Sequence, residues 1–587
     1  MGSIGGQADG ISAFNINRIA IIGAGPCGLT AAKHLLAEGF KASQIDIYEQ
    51  QAEVGGVWNH TPHKPAGDLQ VPQTSAHVKP DQPLFPDQGE DDCEDEVNEE
   101  AEDDYDDDDD YEFQEACTAP GCGACSLPSF SRSELFGAKK KPVPLFPGAM
   151  YDVLNTNIPH PLMRFSDLNF TTDSTGPGTA DGCEIFPTRD VVFEYLMRYA
   201  RDVRDLIRFS TQVTEVTLQS PQVSYASPQA RIQDKWTVKS MNLVTEMERR
   251  ATYDAIVVAT GHYTTPHIPA VAPDSLQDFH AAHPSVISHS KTYRSAAEFA
   301  GKKVLIIGSG PSGIDITRQI REVCAQPLVL STRSGVVSEQ FREHLGPKVR
   351  VVGGIERFLV EERGVEIRLP VDPDSVTSVV ATEHITDLDA VIFCTGYLYT
   401  FPFFAPSFPC SPSSSTEEKA GAAQIPLITD GRRVNGLARH FLHVQHPTLV
   451  FPGLPMRVSP FPLAEGQATV FSRLWSNRLP LPSREGLEAW EREDEEGEGF
   501  EGPVPGGRWE GEWASHAFPM GRDGQYINKV REWALQADTE GGKMGKVPPH
   551  WGDEEIWQRS IFGKAKNKFE DTGRSAKSLV ELGFVRE

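Results

Sequence analysis

The chain has 587 residues, 39% hydrophobic and 24% charged, so it can bury a full core without disulfide staples. That composition excludes a disulfide-stapled miniprotein, a collagen and a coiled coil. The formal net charge is −28, but residues 90–115 hold 18 Asp or Glu and no Lys or Arg; taking those away leaves −10, ordinary for a soluble enzyme.

Residues 1–16 read as a loose, disordered leader. Their sequence has no basic region followed by an apolar run, and Gly6 stands where myristoylation wants Ser or Thr. The run from Arg18 to Ile22 predicts a strand, and Gly23-Ala24-Gly25-Pro26-Cys27-Gly28 predicts a turn. A helix follows, with Leu29, Ala32, Leu35 and Leu36 at helical spacing, and then a strand over Ile45 to Glu49. Together these make a βαβ unit.

Residues 61–148 break the pattern. They are rich in Pro, Gly, Asp and Glu, and 85–142 predict a disordered acidic insertion, because like charges repel and little apolar surface is available. Ordered sequence is expected to resume near Met150. Residues 189–206 predict an amphipathic helix with Val192, Tyr195, Leu196 and Tyr199 on one face.

A buried-strand pattern from Asp254 ends in Thr260-Gly261. A strand over Lys303–Ile307 opens Gly308-Ser309-Gly310-Pro311-Ser312-Gly313, with a helix to about Cys324 and a strand over Leu328–Leu330. The run from Asp389 ends in Thr395-Gly396. A glycine triplet followed by an apolar run and Thr-Gly thus occurs twice, which suggests two related nucleotide-binding units. Residues 405–425 and the acidic, Gly-rich 486–512 read as loops, and about 520–587 as helices with loops.

The first triplet, Gly23, Gly25 and Gly28, allows a tight turn and close approach to a pyrophosphate at a helix N-terminus. Glu49, 21 residues past Gly28, is placed to take the hydroxyls of an adenosine ribose. The second triplet is Gly308, Gly310 and Gly313. No acid occurs between Glu322 and Glu339, and Arg333 lies 20 residues past Gly313. A guanidinium pairs with a 2′-phosphate, so the second site favours NADP over NAD. The bland alternative for Arg333 is a surface residue.

Two dinucleotide sites suggest hydride transfer from NADPH to a flavin. Cys27 has no partner cysteine nearby and reads as a packed small residue, so oxygen is a better acceptor than a disulfide. Cys117, Cys122 and Cys125, with Cys93 more distant, do not follow a standard zinc spacing and read as a solvated loop. His443 and His446 read as structural. No metal site is expected. No long basic patch or apolar run of ~20 residues argues for nucleic acid or a membrane. Nine scattered cysteines suit a reducing compartment, so a cytoplasmic location is expected.

The motifs in their order resemble flavin-containing monooxygenases. They are GAGPCG at 23–28, Glu49, Gly55-Gly56-Val57-Trp58 and Tyr151-Asp-Val-Leu-Asn-Thr156-Asn157-Ile-Pro159. They continue with ATGHY at 259–263, His289 to Arg294, GSGPSGID at 308–315 and Cys394-Thr-Gly-Tyr397. Last come His446-Pro447 and Glu465-Gly-Gln467-Ala468. The resemblance covers about 17–60 and 148–480. One departure is that His283 and Ser285 stand where the family fingerprint has Phe and Gly, which loosens one linker. Tyr293, rather than Trp, is similar to the heteroatom-oxygenating enzymes rather than the Baeyer–Villiger class.

The resemblance implies an α/β fold of two doubly wound dinucleotide-binding (Rossmann-like) domains, with the NADPH domain inserted in a discontinuous FAD domain. The expected boundaries are 17–265 and 397–587 for the FAD domain and C-terminal helices, and 266–396 for the NADPH domain. It implies FAD held by Gly25, Gly28, Glu49, Val57, Trp58 and Gln467, and NADPH held by Ser309, Ser312, Gly313 and Arg333. Thr156 and Asn157 would sit at the flavin, where Asn157 supports NADP and the oxygenated flavin; a turn or cap residue is the alternative for Asn157. The implied enzyme is an FAD-dependent NADPH monooxygenase, similar to N,N-dimethylaniline monooxygenase. Its C4a-hydroperoxyflavin would oxygenate a sulfur or nitrogen of a small molecule. The competing readings are a Baeyer–Villiger oxygenase, an uncoupled NADPH oxidase, and a flavoprotein that binds a partner through its acidic tract. Substrate identity and oligomeric state stay open.

Overall fold

The computed structural model describes residues 14–65, 69–72, 74–86, 143–170, 182–220, 232, 234–333, 335, 337, 339–369, 381–406, 408, 425–496, 516–519, 521–539 and 545–586. The predicted insertion 85–142, with its acidic tract and Cys93, Cys117, Cys122 and Cys125, lies almost wholly outside them.

Four apolar residues, Ile19–Ile22, form a strand buried along its whole length. A strand apolar on both faces belongs in the middle of a parallel sheet. It pairs in parallel with Ile45–Tyr48 on one side and Ala255–Val258 on the other. Ile207–Arg208 and Leu449–Val450 extend these sides, also in parallel. Antiparallel Leu442–His443 and Leu437–Ala438 complete seven strands.

The second sheet repeats this plan with five strands, all parallel. Val304–Ile307 sits between Leu328–Ser331 and Ala390–Phe393, with Val349–Val352 and Ile287–His289 at the edges. In both sheets the chain leaves the central strand to build one side and later crosses to the other. The carboxyl ends of Ile19–Ile22 and Val304–Ile307 are therefore topological switch points, where doubly wound sheets open a crevice. Both sheets with their helices make two Rossmann-like units. Strands from both flanks of the second unit build the first sheet. Thr265–Pro266 pairs antiparallel with Tyr397–Leu398, where the chain enters and leaves the second unit.

The helix Arg189–Ala200 buries Val192, Tyr195, Leu196 and Tyr199 and continues as a 3₁₀ turn over Arg201–Leu206. The helix after Gly310 ends at Ile320, one turn short of Cys324. Two expectations need correction. Phe14 and Ile16 are not part of a loose leader: both are buried in the main core, and the Phe14 amide donates to Asn477 Oδ1 at 2.6 Å. After the insertion, Leu145, near Met150, exchanges two backbone hydrogen bonds with Leu84, at 2.8 and 2.9 Å. The start of the expected 486–512 loop is instead a helix, Arg484–Glu496. Leu487 is buried, Trp490 meets Trp533 edge-on at 4.8 Å, and buried Arg439 pairs with Glu493 and Asp494. A cation beneath an acidic stretch allows it to pack. Among the described residues no helix is long and apolar enough to cross a membrane.

Candidate active site

The two glycine loops are near copies. Gly23 has φ 104° and Gly308 φ 107°, a conformation open to glycine and strained for other residues. A Cβ on Gly23 would lie 2.5 Å from Ala259 O, and one on Gly308 2.6 Å from Cys394 O. Each first glycine is therefore pressed against the end of the strand that precedes Thr-Gly. A Cβ on Gly28 would meet Gly23 O at 1.9 Å, and one on Gly313 would meet Gly308 O at 2.0 Å. Gly25 and Gly310 are extended N-caps of helices Pro26–Ala37 and Pro311–Ile320, with proline at the first helical position. Neither helix has an acid in its first turn, so the free N–H groups and the positive dipole end can face an anion. A Cβ on Gly310 would touch nothing within 4 Å. The second cradle fits a dinucleotide, with walls of bare backbone and an open side at its middle glycine, while a Cβ on Gly25 of the first would lie 3.5 Å from Gly56 Cα.

Glu49 is buried at the end of the second strand. Its carboxylate accepts the Ala24 amide at 2.7 Å and the Gln51 amide at 2.9 Å. Burial pushes its pKa up to about 7, and these backbone donors pull against that shift. A carboxylate has about four acceptor sites, so two oxygens already bonded can still take ribose hydroxyls.

Val57 and Trp58 lie in the 3₁₀ turn Gly56–Trp58, tied to the first loop by the Gly55 amide on Ala24 O at 3.1 Å. The Trp58 ring meets Phe461 edge-on at 6.5 Å. Phe461 begins the buried helix Pro460–Trp475, which carries Gln467. Gln467 Oε1 accepts the Gly453 amide at 2.8 Å and its Nε2 donates to the Tyr526 hydroxyl at 2.7 Å. A Cβ on Gly453 would lie 2.4 Å from Cys27 Sγ. Gln467 thus fixes the floor beneath the first loop. Burial pushes the Cys27 thiol up to about 12, so it stays protonated.

Thr156 is buried and Asn157 exposed. The Thr156 amide donates to Pro187 O at 2.9 Å, its hydroxyl to Ile158 O at 2.8 Å, and Asn155 Nδ2 to Phe186 O at 2.9 Å. These bonds hold the segment from behind and leave the Asn157 amide presented outward. At the second loop Ser309 is exposed, Ser312 half-buried, and Arg333 exposed just past the buried strand Leu328–Ser331.

The fingerprint departure at His283 is compensated. His283 Nε2 donates to Val360 O at 2.8 Å, which pins the linker. His289 Nε2 donates to Gly396 O at 3.0 Å and its Nδ1 accepts the Lys291 amide at 3.1 Å, joining the edge strand to the second Thr-Gly. His443 and His446 stack at 5.4 Å, and His446 lies 3.4 Å from Asp234. Among the described residues no group of three or more His, Cys, Asp or Glu is placed to hold a metal.

Sequence reasoning missed Gly453 and a ring cluster between the two units. Tyr263, after the first Thr-Gly, meets Tyr397, after the second, edge-on at 5.6 Å. His262 lies between Tyr263 and Tyr399, at 4.4 and 4.9 Å. Both its ring nitrogens are buried without a hydrogen-bond partner among the described residues, and burial lowers its pKa to about 4, so it is neutral. The two tyrosines follow repeated Thr-Gly motifs, and that repeat was the available signal.

A profile of flavin-binding monooxygenase-like proteins matches residues 148–359, and one of FAD-NAD(P)-binding proteins matches 20–113. The chain is 27% identical over 478 residues to the flavin-containing monooxygenase ustF2 of Aspergillus flavus, covering 79% of this chain and 83% of that one. It is 26% identical over 487 residues to flavin-containing monooxygenase FMO GS-OX-like 4 of Arabidopsis thaliana, covering 82% and 81%. Among solved structures, the S-allyl-L-cysteine S-oxygenase of Allium sativum shares the fold, with a TM-score of 0.61, 20% identity and 96% of each chain covered.

Proposed function

We propose that the chain, which is similar to flavin-containing monooxygenases, uses NADPH and molecular oxygen to oxygenate a nucleophilic sulfur or nitrogen of a small molecule. Its likeness to flavin-binding monooxygenases and to FAD-NAD(P)-binding proteins supports an FAD-dependent monooxygenase that also takes a nicotinamide dinucleotide, read here as NADPH. The observation that carries the proposal is the duplicated glycine cradle, with an acid past the first triplet and an arginine past the second.

In this reading FAD lies on Gly23, Gly25 and Gly28, with Glu49 on its ribose and the Val57–Trp58 turn beside it. NADPH lies on Gly308, Ser309, Gly310, Ser312 and Gly313, with Arg333 on its 2′-phosphate. The flavin, when bound, supplies the oxygen-activating redox chemistry. The protein's work is to bind, orient and keep water out. Asn157 offers one amide acceptor and two donors without a strong acid, so it would orient a bound group by hydrogen bonding without protonating it. The substrate's own lone pair is the nucleophile, so no general base is required of the chain.

The domains follow: 14–265 and 397–587 form the FAD part, and 266–396 the NADPH part. The pairing of Thr265–Pro266 with Tyr397–Leu398 supports a boundary there. A cytoplasmic location accords with the scattered cysteines. Tyr293 in place of tryptophan supports a heteroatom over a ketone. The Allium sativum protein, an S-allyl-L-cysteine S-oxygenase, points the same way. The test is to supply the FAD-loaded enzyme with NADPH and panels of thiols, thioethers, amines and cyclic ketones. The proposal expects S- or N-oxide formed mole for mole with NADPH consumed. Ester formation from ketones, with no S- or N-oxide, would overturn it.

A further inference from the structure

Asn157 ends a segment whose other end is fastened to the second nucleotide-binding unit. Tyr151, buried at the start of that segment, donates its hydroxyl to Asp315 Oδ2. Asp315 lies in the helix Pro311–Ile320, two residues past Gly313, and is itself buried. Gln319, four residues on and hence on the same helix face, donates from Nε2 both to Asp315 Oδ2 at 3.1 Å and to Val153 O at 2.9 Å. Gln319 Oε1 accepts the Tyr293 hydroxyl at 2.9 Å. The Tyr151 and Tyr293 rings meet edge-on at 5.2 Å, and the Asp152 amide donates to Arg294 O at 3.0 Å.

The helix that opens at the second glycine loop therefore grips residues 151–153, four to six positions before Asn157. The far side of the segment is held by Phe186 and Pro187. Between these holds the segment can shift only as a unit, because the buried Asp315 carboxylate losing its Tyr151 donor is costly. A dinucleotide seated on Gly308–Gly313 bears directly on the N-terminal turn of the same helix.

We propose that Asp315 and Gln319 are positioning residues that transmit occupancy of the second nucleotide site to the Tyr151–Asn157 segment. The inference rests on the reading of Asn157 as an active-site residue and adds a route by which bound nicotinamide dinucleotide sets its place.

The experiment uses the FAD-loaded full chain and the variants Tyr151→Phe, which keeps the ring, and Gln319→Leu. Hydrogen exchange is followed in peptides covering 150–157 and 308–313, with and without NADP⁺. NADP⁺ should slow exchange in both regions of the parent protein. In Tyr151→Phe protection should persist at 308–313 and fall about tenfold at 150–157, as expected for loss of a hydrogen bond to a carboxylate. Full protection at 150–157 in that variant, or none there in the parent protein, would overturn the proposal.

A second readout separates it from the reading beneath it. Peroxide release by the NADPH-reduced enzyme in oxygenated buffer is measured for Tyr151→Phe, Asn157→Ala and the double variant. Tyr151→Phe should leak about tenfold faster and add nothing on the Asn157→Ala background. A leaky Asn157→Ala beside a tight or additive Tyr151→Phe overturns the coupling alone. An Asn157→Ala enzyme that leaks no faster than the parent removes the reading beneath it, and the coupling with it. If Gln319→Leu fails to fold, the Tyr151→Phe arm still decides.

Discussion

Gly28 stands so close to Gly23 that a Cβ on it would lie 1.9 Å from the Gly23 carbonyl oxygen, and the second loop repeats the contact between Gly313 and Gly308 at 2.0 Å. The neighbouring atom is backbone in both cases, so neither site can yield cheaply. Gly28→Ala should give protein without FAD, destabilised by about 4 kcal/mol or more. Gly313→Ala should keep its FAD and lose reduction by NADPH. Gly310→Ala is the contrasting case, since its Cβ would enter open space. Its melting temperature should match the parent's while KM for NADPH rises. Flavin content, melting curves and NADPH kinetics on the three variants check this.

Glu49 gives FAD binding a pH dependence. Burial raises its pKa from 4.5 to about 7, so below pH 7 the cofactor-free folded protein holds it protonated. Ribose hydroxyls donate to the carboxylate form, and binding then releases a proton. FAD affinity should climb by up to about tenfold per pH unit below pH 7 and level off above it. The same shift makes Glu49 unfavourable to the cofactor-free fold as pH rises from about 4.5 to 7. Glu49→Gln should flatten the affinity profile. A profile as steep in that variant as in the parent would assign the proton elsewhere.

Arg333 is the NADPH selectivity prediction. Arg333→Ala should lower kcat/KM for NADPH by the equivalent of about 1.5–3 kcal/mol, the size of a charge-assisted contact, while leaving NADH nearly unaffected. Equal losses for both dinucleotides would detach Arg333 from the 2′-phosphate.

The insertion should be dispensable. Leu84 and Leu145 are hydrogen-bonded across an antiparallel bridge, at 2.8 and 2.9 Å, so the described chain on either side already meets. Replacing 87–142 with a short Gly-containing turn should keep FAD content, melting temperature and turnover with NADPH. Loss of turnover with retained FAD would give the acidic tract a part in the reaction.

What the sequence makes legible is set by distance along the chain. The glycine loops, their flanking strands and the face of the helix Arg189–Ala200 are local patterns of period two or 3.6 or fixed spacing, and all are found. Phe14 and Ile16 carry no such pattern, and the Phe14 amide meets its partner Asn477 463 residues later. The helix Arg484–Glu496 is hidden by its acidic composition, because the cation beneath it, Arg439, comes from another element. Gln467 is marked by its motif, but its work of holding Gly453 under Cys27 appears only when three distant segments are together. Likewise Tyr151 and Asp315 lie 164 residues apart, and no local signal couples them.

Asn157 carries the central claim. The most direct measurement is rapid mixing of the NADPH-reduced, FAD-loaded enzyme with oxygenated buffer in the absence of substrate. The flavin spectrum and peroxide release are followed together, for the parent and for Asn157→Ala. The account predicts a long-lived oxygenated spectrum in the parent, distinct from oxidised and reduced flavin, that thioethers or amines discharge. It predicts that Asn157→Ala is still reduced by NADPH but returns at once to oxidised flavin with stoichiometric peroxide. Immediate reoxidation of the parent with full peroxide release would contradict a monooxygenase and make the protein an oxidase.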